Sequence, residues 1–264
     1  MTDVCAYSAW DDGVRKKCAG TNTTKREGML PVGLLFGLLA LLLLAALARL
    51  LAMRAPPGAA PARRCHVVVA ACGDPRNVKR IREMACGGGG ECVVWVYNKC
   101  AQKVPGSVRL PNVGRDLHTF LHHVVEHYSA LPAGRIIFTA STLDKHRRAA
   151  RLERLLHCEE DHFCDWGHGA QAIGDIWTDW TKDEYDGVQL LPASPRGFRS
   201  WCEAHTGAVD PSSKRCGNGI FLTTGARIRK RPPEFYRNLR DQLCTHNAPE
   251  AVHYLERVVE HVFM

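Results

Sequence analysis

Nineteen consecutive residues, Leu30 to Ala48, read LPVGLLFGLLALLLLAALA without a charge, and RLLAM carries the run past one arginine to Met53. A helix needs about 20 apolar residues to cross a bilayer core, so this run reads as a transmembrane span. A cleaved signal peptide has a shorter apolar stretch near the start and a small-residue cleavage site. Here a polar leader, residues 1–29, comes first, and the run is read as a retained signal anchor over residues 30–53. RAPPGAAPARR, Arg54 to Arg64, is a Pro/Ala-rich stem, extended and unable to pack. Residues 65–264 remain as one folded domain. The leader holds Arg15, Lys16, Lys17, Lys25 and Arg26, against Arg49, Arg54, Arg63 and Arg64 on the far side. That slight excess puts the leader in the cytoplasm and the C-terminal domain in the lumen. The expected layout is a single-pass type II membrane protein of the Golgi or endoplasmic reticulum. The sequon at Asn22 falls in the leader, where it is expected to go unused.

Twelve cysteines are many for 264 residues, and the ten after the apolar run form an even set. Such a set suits disulfides in an oxidising compartment. No C-x-x-C pair occurs, which argues against a zinc ribbon. HCEEDHFC, His157 to Cys164, has metal-like letters but reads more simply as a short Cys158–Cys164 loop. The polar, turn-rich stretch between Cys202 and Cys216 predicts a second bridge. The net charge of +8 is spread along the chain, with no basic stripe interleaved with aromatics, so nucleic acid is not an expected partner. An anionic small molecule, or an anionic lipid surface near the anchor, fits better.

The domain after Cys65 alternates strands and helices. CHVVVAAC, CVVWVYNK and RIIFTAS read as buried strands, and VKRIREMA as a helix between the first two. CGGGGEC is a flexible turn, not a phosphate-binding P-loop, because no Gly-Lys-Ser/Thr follows. KHRRAARLERLLH predicts one helix in an otherwise irregular middle. GIFLTTG is a late strand, and two helices with proline and glutamate in their first turns end the chain. This alternation predicts an α/β fold with a mostly parallel sheet flanked by helices.

LPNVGRDLHTFLHHVVEHY, Leu110 to Tyr128, is the most informative segment. Leu117, Phe120, Leu121, Val124, Val125 and Tyr128 form a helical stripe that must face the core. Before it, Asn112 can shape a turn and Gly114 permits close backbone approach. The helix start offers free N–H groups to a phosphate, and Arg115 adds a planar fork suited to one. Asp116 can take a sugar hydroxyl or hold Arg115. An Asn-capped helix with a local Arg–Asp pair accounts for the same letters. HVVEH, His123 to His127, matches the inverted zinc-protease pattern H-x-x-E-H, yet no third ligand is evident downstream.

LPNVGRDLHTFLHHVVEHYSALPAGRIIFTAS resembles the central motif of the family catalogued as domain of unknown function 3431. The matching residues are Asn112, Gly114, Arg115, Asp116, His118, Thr119, Phe120, Leu121, Tyr128 and Phe138. FLTTGARIRKRPPEFYRNL resembles that family's strand followed by I-x-x-R-P-x-x-F-Y. HYLERVVEHVF resembles its terminal motif, with Val259 where tryptophan is usual. The likeness covers most of Cys65 to Phe263. The N-x-G-R-D turn is also similar to one in glycosyltransferases of the rhamnan-synthesis type. The resemblance implies a glycosyltransferase-A-like domain that moves a sugar from a nucleotide-sugar donor to a glycan, protein or lipid hydroxyl.

On this reading Asn112, Gly114, Arg115 and Asp116 hold the donor. Asp144 is the candidate for metal contact or general base, and His146 the second catalytic candidate. Metal-dependent nucleotide-sugar transferases carry D-x-D at a strand end; this chain has TLDKH, with Asp144 alone. Mn²⁺ or Mg²⁺ can bridge a diphosphate through one carboxylate and waters, and a metal-independent reaction is equally compatible. Glu256 and Arg257 are expected to pair and fix the last helix. A non-catalytic lumenal domain binding a glycan or protein is the alternative, supported by the missing D-x-D. A zinc metalloprotease is the third reading.

Overall fold

The computed structural model describes residues 65–87, 92–164, 181–212 and 219–264. Its centre is a six-stranded sheet in the order Val108–Arg109, Cys92–Asn98, Cys65–Ala71, Arg135–Ala140, Ile220–Thr224, Phe163–Cys164. β1 (Cys65–Ala71) lies between β2 (Cys92–Asn98) and β4 (Arg135–Ala140), parallel to both. β3 (Val108–Arg109) extends the parallel set beyond β2. β8 (Ile220–Thr224) runs antiparallel to β4, and β5 (Phe163–Cys164) pairs antiparallel with β8.

A strand covered on both faces needs apolar residues at every position. CHVVVAA meets that condition, and β1 is buried along its whole length. Because side chains alternate, Val67 and Val69 enter one layer with Val78, Ile81, Ile137, Leu152, Leu155 and Leu222. Those partners come from the strands and from α1 (Pro75–Gly87) and α3 (Arg148–His157). Val68 and Ala70 enter the opposite layer with Phe120, Phe138, Trp201, Phe221, Tyr254 and Phe263. That layer is closed by α2 (Arg115–His127), α4 (Phe198–His205), α6 (Pro233–Asp241), α7 (Glu250–Arg257) and α8 (Val259–Phe263); α5 (Gly225–Ile228) is a single turn after β8. Phe138 lies at its centre, with ring centroids 5.0 Å from Phe120, 4.9 Å from Phe221 and 5.7 Å from Phe263. Truncating such a ring to alanine costs about 3–5 kcal/mol.

The expected fold class is corrected in one part. The α/β domain with a mostly parallel sheet flanked by helices is present. The transmembrane helix that was to precede a glycosyltransferase-A-like domain is not found: no helix among the described residues is long and apolar enough to cross a membrane. The type II, single-pass placement in the Golgi or endoplasmic reticulum is corrected to the same extent: no described helix carries it. The leader, the Leu30–Met53 run and the stem lie outside the described residues.

The cysteine pairs also differ from expectation. Cys65 joins Cys92, and Cys72 joins Cys100, with Cα atoms 4.3 and 5.0 Å apart. Both bridges tie β1 to β2, one at each end. Cys202 is a free, buried thiol on α4 and Cys158 is also free, so neither the Cys202–Cys216 nor the Cys158–Cys164 bridge forms. Burial pushes the Cys202 thiol up to about 12.

Candidate functional site

β1 leads through α1 to β2 on one side, and α2 leads to β4 on the other. The chain therefore changes direction between β1 and β4. In open α/β sheets, ligands bind in the crevice beyond the carboxyl ends of the strands at such a switch point. A cleft of about 410 Å³ lies there, walled by Ala70 and Cys72 at the end of β1 and by Ala140, Ser141 and Thr142 at the end of β4. Ser141 Oγ donates to Cys72 O and accepts from Cys72 N, both at 3.1 Å, which clips the two strand ends together beneath the cleft.

The turn before α2 forms one wall. Gly114 is the N-cap, left-handed at φ 55° and ψ 27°, with no side-chain cap. A Cβ on it would lie 2.6 Å from Leu243 Cβ and 2.8 Å from His118 Cβ. Glycine is required there by conformation and by packing together. Asn112 lines the cleft but does not cap the helix. Arg115 is also left-handed, at φ 48°, a region that side-chain-bearing residues seldom enter. Lys99 explains it. This buried lysine follows β2, and its Nζ donates to the carbonyls of Val113 and Arg115. Burial brings its ammonium down to about 8, with the Asp116 charge opposing. A second left-handed side-chain-bearing residue, Asp186 at φ 52°, also lines the cleft. Strain of this kind collects at functional sites because the surroundings must hold it.

Asp116 points inward from the same turn. Its Oδ1 accepts from Leu117 N at 3.1 Å, so it occupies part of the helix end that sequence reasoning left open for a phosphate. Its Oδ2 faces Gly219, where a Cβ would stand 2.0 Å away. Burial raises the Asp116 carboxyl, and the nearby Glu256 charge raises it further, while Arg148 and Lys99 oppose. Arg148 is buried at the start of α3 and donates to the Thr142 carbonyl (3.3 Å) and hydroxyl. Burial lowers it, with Asp116 and Glu256 restoring the charge. Lys145 is an exposed cation on the same rim.

The remaining wall comes from residues 185–186 and from α7. A hairpin of β6 (Glu184–Tyr185) and β7 (Val188–Gln189) carries Tyr185 over the cleft. The Arg115 guanidinium is 5.5 Å from its ring centroid, and the His253 ring is 4.4 Å from it. His253 Nδ1 is 3.8 Å from Glu256 Oε2 on α7. Glu256 thus faces the cleft, while Arg257 Nη1 donates to the His253 carbonyl.

Asp144 is exposed, preceding the single-turn helix Lys145–Arg147, and does not line the cleft, though its charge acts on Arg148. His146 lies in that turn, and its side chain is outside the described residues. The two histidines of HVVEH share one neighbour: Tyr97 Oη is 2.9 Å from His123 Nδ1 and 3.2 Å from His127 Nε2. Among the described residues no three His, Cys, Asp or Glu side chains are grouped to hold a metal ion. No family model, no curated protein and no solved structure matches the chain.

Proposed function

We propose that the chain binds a nucleoside-diphosphate sugar in the cleft between β1 and β4 and transfers the sugar to a hydroxyl of a glycan, protein or lipid. One observation carries this reading. Arg115, Lys145 and Arg148 converge with Asp116 and Glu256 at the switch point of a parallel sheet. Guanidinium and ammonium groups bind a diphosphate through charge-assisted hydrogen bonds. Carboxylates accept hydrogen bonds from sugar hydroxyls, and one placed beside an incoming hydroxyl takes its proton. Tyr185 supplies an aromatic face against which a base or sugar ring packs. The residues carrying the resemblance to the domain of unknown function 3431 family support the reading by analogy, since Asn112, Arg115 and Asp116 line this cleft. The exposed Asp144 does not by itself make a resident metal site, and no step is routed through Mn²⁺ or Mg²⁺.

The test is a thermal-shift screen of the full chain against uridine, guanosine, cytidine and thymidine diphosphate sugars, with and without Mn²⁺. A ligand that binds only the folded form raises its melting temperature by mass action. A rise with one base class, followed by release of the nucleoside diphosphate when acceptor is added, is the expected result. No rise with any of them contradicts the proposal.

A further inference from the structure

The cleft is mixed in charge, and that mixture bears on which end of a ligand faces which wall. Arg115 and Lys145 lie on its rim. Asp116 and Glu256 face it from α2 and α7, and they are close enough for each to act on Arg148. Glu256 keeps about a third of its side chain exposed (35%), so it meets whatever enters. Asp116 is held at one oxygen and has room at the other. Leu117 N donates to Oδ1, and Gly219 leaves room for Oδ2 that any other residue would fill.

From this arrangement we infer that Asp116 and Glu256 make the cleft selective for diphosphates esterified at both ends over diphosphates with a free terminal phosphate. The inference rests on the proposed nucleotide-sugar reading and names the feature of the ligand that the site selects. An ionised carboxylate only accepts hydrogen bonds. The oxygens of an ionised phosphate do the same, so a terminal phosphate pushed against the pair gains no bond and meets like charge. A phosphate at the chain end carries roughly one more negative charge near neutral pH than one esterified on both sides. A sugar ring in that place supplies hydroxyl donors to the same two carboxylates. Arg115, Lys145 and Arg148, which line the same cleft, still hold the bridging diphosphate. The pair therefore penalises the bare nucleotide and rewards the capped one, the reverse of a purely cationic phosphate pocket.

The experiment titrates the full chain with UDP and UDP-glucose, GDP and GDP-mannose, and the cytidine and thymidine counterparts, with and without Mn²⁺. The wild type is expected to bind one nucleotide sugar about tenfold more tightly than its parent diphosphate, a free-energy difference of about 1.4 kcal/mol. Glu256→Gln keeps the size of the side chain and removes its charge. It is expected to bring that ratio close to one, chiefly by strengthening binding of the bare diphosphate. Asp116→Asn is expected to act in the same direction. The wild-type ratio is read without any variant, so misfolding of either one leaves the test intact. A bare diphosphate that binds the wild type as tightly as its sugar conjugate overturns the inference alone. So does a ratio unchanged in folded Glu256→Gln protein. If neither bare nor capped nucleotides bind, the proposed function fails, and the inference with it.

Discussion

Gly219 makes room for the Asp116 carboxylate: a Cβ at Gly219 would lie 2.0 Å from Asp116 Oδ2. The glycine also sits at φ 60°, where other residues are strained. Gly219→Ala is therefore expected to displace Asp116 from the cleft and to destabilise the fold by about 1–3 kcal/mol. Urea unfolding measures the stability, and nucleotide-sugar titration reads the displaced carboxylate. An alanine variant as stable as the parent would show that the contact is readily relieved.

Lys99 holds the left-handed turn by its two bonds to the Val113 and Arg115 carbonyls. Lys99→Met keeps the stem and leaves those acceptors without their charged donor. Losing a charge-assisted bond in a buried site costs about 1.5–3 kcal/mol. Ligand affinity should fall as well, because Arg115 is no longer oriented. With its ammonium down to about 8, Lys99 loses its charge as pH rises through that value. Anion binding should weaken over that interval in the wild type, and titration calorimetry from pH 7 to 9 checks it.

Four histidines beside Tyr97 and Trp95, and His118 stacked on one of them, give the fold a sensitivity to acid. Burial lowers His66 to about 4, His118 to about 3 and His123 to about 2, and it lowers His122 and His127 as well. The unfolded chain takes up these protons near the ordinary histidine value of about 6.5, while the folded chain resists them. Stability is thus full above that value and falls as pH drops below it. The loss is about 1.4 kcal/mol per pH unit for each fully resistant group. Asp116, whose carboxyl is raised, opposes this in part. Urea midpoints should decline steadily from pH 7 to pH 5; a flat profile would mean that the histidines are not held neutral.

Peptide mapping without reduction should recover Cys65–Cys92 and Cys72–Cys100. The sequence separations are 27 and 28 residues. On the chain-entropy view, each loop of that size stabilises by about 3.5 kcal/mol. Cys202 should resist alkylation in the native protein and react once it is denatured, since it is buried and its thiol is pushed up to about 12. Rapid native labelling of Cys202 would contradict its placement on α4.

Sequence pattern was enough for β1, β2 and β4, because their apolar runs are unbroken and bounded by turns. Burial on both faces leaves no alternation that reveals direction, so nothing in GIFLTTG showed that β8 runs antiparallel. Disulfide connectivity depends on register: Cys65 stands opposite Cys92 only because β1 and β2 pair as they do. EYDGVQ carries a hairpin signal. Asp-Gly between short strands favours a two-residue hairpin with both central φ angles positive, and Asp186 and Gly187 sit at 52° and 72°. That hairpin brings Tyr185 to the cleft. The sequence pairs Glu256 with Arg257, but residues one apart do not face each other on a helix. Asp144 looked like a strand-end carboxylate, yet β4 ends at Ala140 and the chain turns before reaching it. Lys99 carried no signal beyond ending a strand, because its role depends on a carbonyl 16 residues away.

The β1–β4 cleft is tested most directly as the donor site by the affinity of the full chain for its nucleotide sugar when Arg115 and Lys145 are both changed to alanine. Each removed charge-assisted contact contributes about 1.5–3 kcal/mol, so the dissociation constant should rise at least about a hundredfold. The fold should persist, because Lys145 is exposed and Arg115 only partly buried, and the melting temperature without ligand should change little. A folded double variant that binds the nucleotide sugar as tightly as the wild type would contradict the assignment of the β1–β4 cleft as the donor site.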